Sequence, residues 1–199
     1  MPKKLPLSFY ERDDVVQISR DLIGMKLCTH IDGVHTSGII VETEAYNGRT
    51  DAACHAFPDV RTKRTETLYG PPGQAYIYLC YGIHHLFNIV TNEEGKADAI
   101  LIRAIEPTLG VKNMLDRRGI EKLKPQVTNG PGKLSQALGI TTKLDKTKLC
   151  GDTIWVERGD ANITEQEIEA SQRVGVDYAG EDAKLPWRFT LKGSKWLST

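Results

Sequence analysis

The sequence predicts a single α+β domain, a mainly antiparallel β-sheet with a few flanking helices. β-type segments follow one another without the helix-length amphipathic stretches that parallel βαβ units need. No Pro-, Gly- or Ser-rich linker divides the 199 residues, a length that suits one ordinary domain. The balance of 40% apolar and 26% charged residues is that of a folded chain and excludes wholesale disorder.

The elements are read in chain order. Residues 13–23 place Val15, Ile18, Leu22 and Ile23 near helical spacing, with Asp at the start and Gly24 after the end, so a helix is expected. Residues 26–31, 38–46, 74–81, 85–91 and 99–105 are rich in Val, Ile, Tyr and Thr and read as strands. The third and fourth are close enough to form a hairpin with its tip at 81–84. Pro107 is expected to open a helix that runs to Arg118 and closes at Gly119; Pro131 opens another, closed by Gly139. Residues 153–157 and 187–191 read as late strands. Thr164-Glu-Gln-Glu167 fits a capping box, whereas 174–176 reads as strand. Long loops remain at 47–68 and 121–129, and the first, between two strong strands, has a length more typical of functional segments than of turns.

Charge and composition restrict the function. Lys+Arg 26 against Asp+Glu 26 gives a formal net of +0, so the chain is no bulk polycation. A nucleic-acid partner would need positive charge gathered on one face. Arg61, Lys63 and Arg64 could supply it, as could Lys112, Arg117, Arg118, Lys122 and Lys124; each group also reads as ordinary solvated surface. No apolar run reaches membrane-spanning length, and residues 1–7 lack the apolar core of a signal peptide. Cys28, Cys54, Cys80 and Cys150 are scattered, with no C-x-x-C, so reduced thiols in a soluble cytosolic protein are expected. Cys28-x-His30 has no second pair at zinc spacing, and the adjacent His84 and His85 point apart on a strand. Phosphate-binding and nucleophile-elbow motifs are missing, so a reaction without metal or cofactor is expected.

Three stretches carry chemistry. In 38–46, strand alternation puts Glu42, Glu44 and Tyr46 on one face and Ile39, Val41, Thr43 and Ala45 on the other. Such carboxylates sit at an exposed edge, pair with an arginine, or serve as a general base for water. The apolar strand 99–105 holds one charge, Arg103, which must find a carboxylate or an anionic ligand; a structural pair with Glu42 or Glu44 and a substrate contact both fit. In 74–82, Tyr76 and Tyr78 share a face, and alternation puts Tyr81 on the opposite one, at the hairpin tip. An aromatic there has nothing to pack on within its own two strands, so it meets a neighbouring element or a partner such as stacked bases.

Several blocks, in order, resemble the alkyladenine (3-methyladenine, or alkylpurine) DNA glycosylases. They are Ile40-Val-Glu-Thr-Glu-Ala-Tyr46, Ala52/Ala53 to His55, Pro72-Gly73 leading into Tyr76-Ile-Tyr-Leu-Cys-Tyr-Gly82, and Asn88. Leu101-Ile-Arg-Ala-Ile-Glu-Pro107, Gly130-Pro-Gly-Lys-Leu-Ser-Gln-Ala-Leu138, Arg173-Val-Gly-Val176 and Trp187-Arg-Phe189 complete the series. The resemblance covers about residues 5–197 and implies one glycosylase domain over 1–199. It implies a strongly curved, mainly antiparallel sheet like that of the formyltransferase C-terminal domain, with a protruding β-hairpin. Glu44 then matches the base that activates water for attack on the deoxyribose C1′, and Arg103 the arginine that helps hold that water and carboxylate. Tyr46, His55 and Tyr78 match the walls between which an extruded base stacks. Asn88 and Leu101 match pocket residues, Asn88 discouraging normal guanine by its exocyclic amine. Tyr81 matches the side chain that fills the gap left by the flipped nucleotide.

The implied partner is double-stranded DNA carrying damaged purines, approached from the minor groove by a monomer without a cofactor. The implied place is the cytoplasm and nucleoid of a prokaryote, or the nucleus of a eukaryote. No lysine has a nucleophile's placement, which favours a monofunctional hydrolase. Cys54 before His55 and the loose basic loop at 63–67 depart from the family pattern. Two other functions compete. A non-catalytic nucleic-acid-binding module leaves Glu44 unexplained, and a hydrolase of free nucleosides has no use for Tyr81.

Overall fold

The computed structural model describes residues 4–160 and 162–198. Its organising element is the strand β2 (Val34–Asn47), 14 residues long. β1 (Lys26–Ile31) and β8 (Arg188–Leu191) pair with its first and second halves, and β5 (Asp98–Leu109) pairs along its length. β3 (Ala75–Cys80) and β4 (His84–Thr91) form the expected hairpin, which joins the sheet through β5. β6 (Ile154–Glu157) lies beyond β1, and β7 (Ile168–Ser171) beyond β8. Every pairing among these eight strands is antiparallel, giving the order β3-β4-β5-β2-β1-β6 with β8 and β7 as a branch. The mixed α+β architecture is as the sequence indicates.

The helices pack on one face. α1 (Leu7–Tyr10) and α2 (Val15–Asp21) precede the sheet, and the Asp14 side chain accepts the Gln17 amide to cap α2. α3 (Val111–Arg118) and α4 (Pro131–Leu138) both end on a left-handed glycine, Gly119 and Gly139. Ile18, Leu22, Met114, Leu134 and Leu138 meet Ile40, Ile89, Ile100, Ile102 and Ile105 of the sheet in the main core. Each such side chain contributes ~1.5–3 kcal/mol of burial. The opposite face carries Tyr76, Val90 and Ala99, covered by Cys54, Ala56, Leu68 and Tyr69 from the long loop after β2. The candidate site lies on that second face. Among the described residues, no helix is long and apolar enough to cross a membrane.

Three expectations need correction. Pro107 does not open a helix but lies within β5, opposite Gly38 and beside a register shift, where its missing N–H costs the ladder little. The chain turns instead at Gly110, whose φ of 68° and close approach to the His35 carbonyl both require glycine. Residues 174–176 are not a strand; the capping box opens a one-turn 3₁₀ helix (Glu165–Glu167), and β7 follows it directly.

The third correction concerns alternation in β2. Pairing with β5 runs Ile40↔Ile105, Glu42↔Ala104, Thr43↔Ile102, which leaves Val41 and Arg103 each without an opposite number. Ile40 belongs to the main core and the Thr43 hydroxyl bonds to Ser19 of α2, so two residues, Val41 and Glu42, fill an interval meant for one. Ile39 and Val41 therefore pack with Trp196 on the carboxylate face, not with Thr43 and Ala45. β5 does the same with Arg103 and Ala104 between Ile102 and Ile105. A bulge of this kind re-aims side chains. Here it keeps Glu42, Glu44 and Arg103 on one face and turns Ile39, Val41 and Ala104 to that same side.

Candidate active site

Register alone assembles a row across five strands: Arg188, Glu44, Leu101, Asn88 and Tyr76 stand opposite one another from β8 to β3. Next to it, Tyr46 stands opposite Ala99 and Tyr78 opposite Leu86. Above these residues opens a cavity of about 550 Å³. Tyr46, His55, Tyr76, Tyr78, Asn88, Leu101 and Arg103 line it, with Tyr81 at its mouth. The structure thus brings together every sequence-predicted site residue except Glu44, which lies just behind the lining with no exposure.

Glu44 is reached through the wall. Its Oε2 accepts hydrogen bonds from the Tyr46 hydroxyl (2.7 Å) and from Arg103 Nη1 (3.1 Å), and its Oε1 accepts the Val174 amide (2.7 Å). All three donors belong to residues that line the cavity. A carboxylate offers about four acceptor positions, so one on Oε1 stays open among the described residues.

Glu42 differs. Its Oε1 accepts from Arg103 Nε (2.9 Å), Arg188 Nε (2.8 Å) and the Ser198 hydroxyl (2.7 Å), and its Oε2 accepts the Ser198 amide (2.6 Å). It accepts four hydrogen bonds, three of them crowded on Oε1, and of its donor residues only Arg103 lines the cavity. Burial alone would raise the Glu42 pKa, but the Arg103 charge and the bonds from Ser198 and Arg188 outweigh it and hold the group below its usual value. Glu42 is tied to Arg188 and Ser198 away from the cavity, and Glu44 is the carboxylate tied to the cavity lining.

The cavity walls are aromatic. The His55 and Tyr78 rings meet edge to face with centroids 4.7 Å apart, and Tyr76 and Tyr78 lie 5.4 Å apart. His55 Nδ1 lies 3.2 Å from the Tyr76 hydroxyl, and Nε2 lies 3.4 Å from Arg64 Nη2. Burial first, then the Arg64 charge, lowers the His55 pKa to about 4, so the ring is neutral at pH 7. Tyr46 is pushed well above 10, by burial and then by the Glu44 charge, so it stays a donor to that carboxylate. The Asn88 amide nitrogen bonds the Tyr76 and Leu86 carbonyls, which fixes the side chain in the wall.

Tyr81 is not a strand residue on the face opposite Tyr76 and Tyr78; it lies past the end of β3, in the turn. Its φ is 51° and that of Gly82 is 73°, and a left-handed tyrosine costs ~1–2 kcal/mol. The turn holds this ring 92% exposed, with Ile83 beside it at 70%.

Sequence reading missed the support beneath the cavity. Arg173 grips Asp51 through two nitrogens and also donates to the Ala45 carbonyl, which sets Val174 against Glu44. Its guanidinium lies 4.8 Å from the Tyr46 ring centroid and 5.2 Å from that of Trp187. Tyr178 also lines the cavity, with its hydroxyl on the Ala53 carbonyl. Only Arg173, a lone basic residue before Val-Gly-Val, carried any local signal.

An aromatic-walled cavity with a buried carboxylate–arginine pair behind it suits an enzyme that holds a planar group beside a general base. The profile of the methylpurine-DNA glycosylase family matches residues 8–195. A Chlamydia felis protein is 45% identical over 192 residues, 96% of this chain and 97% of its own length. Proteins of Bacillus cereus (strain ATCC 10987 / NRS 248) and Alkaliphilus oremlandii are each 42% identical, over 97% and 98% of this chain and 98% of their own lengths. All three relatives are provisionally named 3-methyladenine DNA glycosylase. The chain belongs to the methylpurine-DNA glycosylase family.

Proposed function

We propose that this protein is a monofunctional DNA glycosylase that extrudes alkylated or deaminated purines from duplex DNA and hydrolyses their N-glycosidic bond. The observation that carries this reading is the difference between the two carboxylates: Glu42 accepts four hydrogen bonds, mostly from residues outside the cavity, while Glu44 accepts three, all from the lining of an aromatic cavity, and keeps a position open on Oε1.

The extruded base stacks among Tyr46, His55 and Tyr78, away from the duplex. A purine alkylated at N3 or N7 is cationic, so the π faces attract it beyond ordinary stacking. The same charge makes it a good leaving group. Glu44 accepts a proton from water as the water oxygen bonds C1′, and the electron pair of the breaking C1′–N bond returns to the base. The transition state is oxocarbenium-like, as in other glycoside hydrolyses. Arg103 orients Glu44 through its Nη1. Asn88 and Leu101 shape the floor, and the fixed Asn88 amide obstructs an exocyclic amine such as that of guanine. Tyr81 enters from the minor groove and fills the vacated stack while the protein acts as a monomer.

Base release from duplexes carrying 3-methyladenine, 7-methylguanine, hypoxanthine or ethenoadenine, compared side by side, tests the reading. Release of at least one free base with an abasic site and an uncut strand is expected. Strand cleavage, or activity on free nucleosides alone, would refute it.

A further inference from the structure

The residue that completes the Glu42 network comes from outside the sheet. Trp196 is buried against Val41 and Ala104, the positions displaced by the paired bulge. This anchors the segment after β8 over the carboxylates and delivers Ser198 to Glu42. The Ser198 amide donates to Glu42 Oε2 (2.6 Å), its hydroxyl donates to Glu42 Oε1 (2.7 Å), and the same hydroxyl oxygen accepts from Arg103 Nη2 (3.1 Å).

Arg103 is thereby held at three points: Nε by Glu42, Nη2 by Ser198 and Nη1 by Glu44. A guanidinium is a rigid planar fork, so fixing two of its nitrogens fixes the direction of the third. Left with Glu44 alone, Arg103 could swing to a two-pronged pair with it, the geometry arginine prefers with carboxylates. That pair would occupy the acceptor position on Glu44 that a water needs.

We infer that Ser198 is a positioning residue for this reaction: it holds Arg103, directly and through Glu42, in the one-pronged contact that leaves Glu44 able to take a proton. The inference rests on the reading of Glu44 and Arg103 as the catalytic pair, and Ser198 itself does not line the cavity.

The test is single-turnover excision and lesion-duplex affinity for the full chain and for Ser198→Ala, Ser198→Thr, Ser194→Ala, Glu42→Gln, Glu42→Gln/Ser198→Ala and Glu44→Gln. Ser194 accepts the Trp196 amide in the same segment without reaching the carboxylates, so it reports on the segment's fit alone. Ser198→Ala should slow excision on the order of 10-fold, below the ~10² of a full 1 Å misplacement. Lesion affinity should stay within about twofold, Ser198→Thr should restore the rate, and Ser194→Ala should match the wild type. In the double variant the two losses should not multiply, because both act on one guanidinium. A wild-type rate for Ser198→Ala beside an inactive Glu44→Gln overturns the positioning role and leaves the catalytic reading standing. Equal slowing by Ser194→Ala, or no rescue by threonine, also overturns it and makes Ser198 a packing residue. Normal excision by Glu44→Gln removes the catalytic reading itself.

Discussion

Arg173 and Asp51, 122 residues apart in the chain, meet in a two-pronged ion pair whose side chains are both fully buried, at 2.5 and 2.7 Å. Burying either charge alone would be costly, so each residue is needed because the other is present. The pair joins the loop after β2 to the segment that carries Val174 and Tyr178.

Removing one partner should therefore cost far more than an exposed ion pair does. Arg173→Ala is expected to lower unfolding stability by ~3–5 kcal/mol, as for other broken buried pairs. Excision should fall with it, because Val174 then loses its placement against Glu44. Urea denaturation of the variant checks this; a loss under about 1 kcal/mol, the range of surface pairs, would contradict it.

The two carboxylates of β2 should respond differently to amide substitution. Glu44→Gln should lose ~10²–10⁴-fold or more in base release, the usual value of a general base, while still binding lesion duplex. Glu42→Gln should retain measurable excision and lose stability. If Glu42→Gln abolished release while Glu44→Gln did not, the base would be Glu42.

Acid titration provides a second check on Glu42. Its folded pKa lies below the ordinary 4.5, so its contribution to stability is present above that value and is lost as pH falls through the folded pKa. Glu42→Gln should therefore flatten the fall in stability on the acid side of about pH 4.5. Parallel curves for the two proteins would mean that Glu42 is not stabilised as its four donors require.

His55 should stay neutral through the physiological range. Its pKa of about 4, against an ordinary 6.5, means that its part of the stability is present above 6.5 and lost as pH falls towards 4. In NMR titrations its ring signals should be flat from about pH 5.5 to 8. Arg64→Gln should move the midpoint upwards, because a neighbouring positive charge is removed. A wild-type midpoint near 6.5 would contradict this.

Tyr81→Ser should leave folding almost untouched, because the ring is 92% exposed. The flipping equilibrium should lose on the order of 1–3 kcal/mol, the value of one base–aromatic stack. Excision should suffer most for lesions in stable pairs and least for mispaired ones. The fluorescence of 2-aminopurine beside the lesion, read with single-turnover rates, measures both. Equal flipping signals in the two proteins would make Tyr81 an ordinary surface residue.

Much of this fold is legible in residue order because antiparallel neighbours leave local signals. The hairpin of β3 and β4, the aromatic pair Tyr76 and Tyr78, and an arginine stranded in apolar β5 were all readable. Arg103 meeting Glu42 or Glu44 was open between two partners, and the structure contains both pairs. Pro107 misleads because proline is as acceptable at a strand irregularity as at a helix start. The bulge at Val41 leaves no trace, since an apolar residue suits either face of a strand buried on both sides. Arg173, Asp51 and Ser198 meet their partners across more than ninety residues or around the sheet edge, and periodicity cannot register that.

The paired bulge makes the site sensitive to chain length in a way that side-chain substitution does not reveal. Excising Val41 alone would leave Glu42 as the single residue between Ile40 and Thr43, so β2 would alternate regularly while Arg103 stays unmatched on β5. Glu42 and Glu44 would keep their face, but Trp196 would lose Val41, part of the packing that sets Ser198 over them. Excising Val41 together with one residue of the 103–104 pair would regularise both strands at once. A protein trimmed at Arg103 could keep its sheet and lose the charge that orients both carboxylates. A gap misplaced by one position here would therefore match inward-facing residues of one relative with outward-facing residues of another.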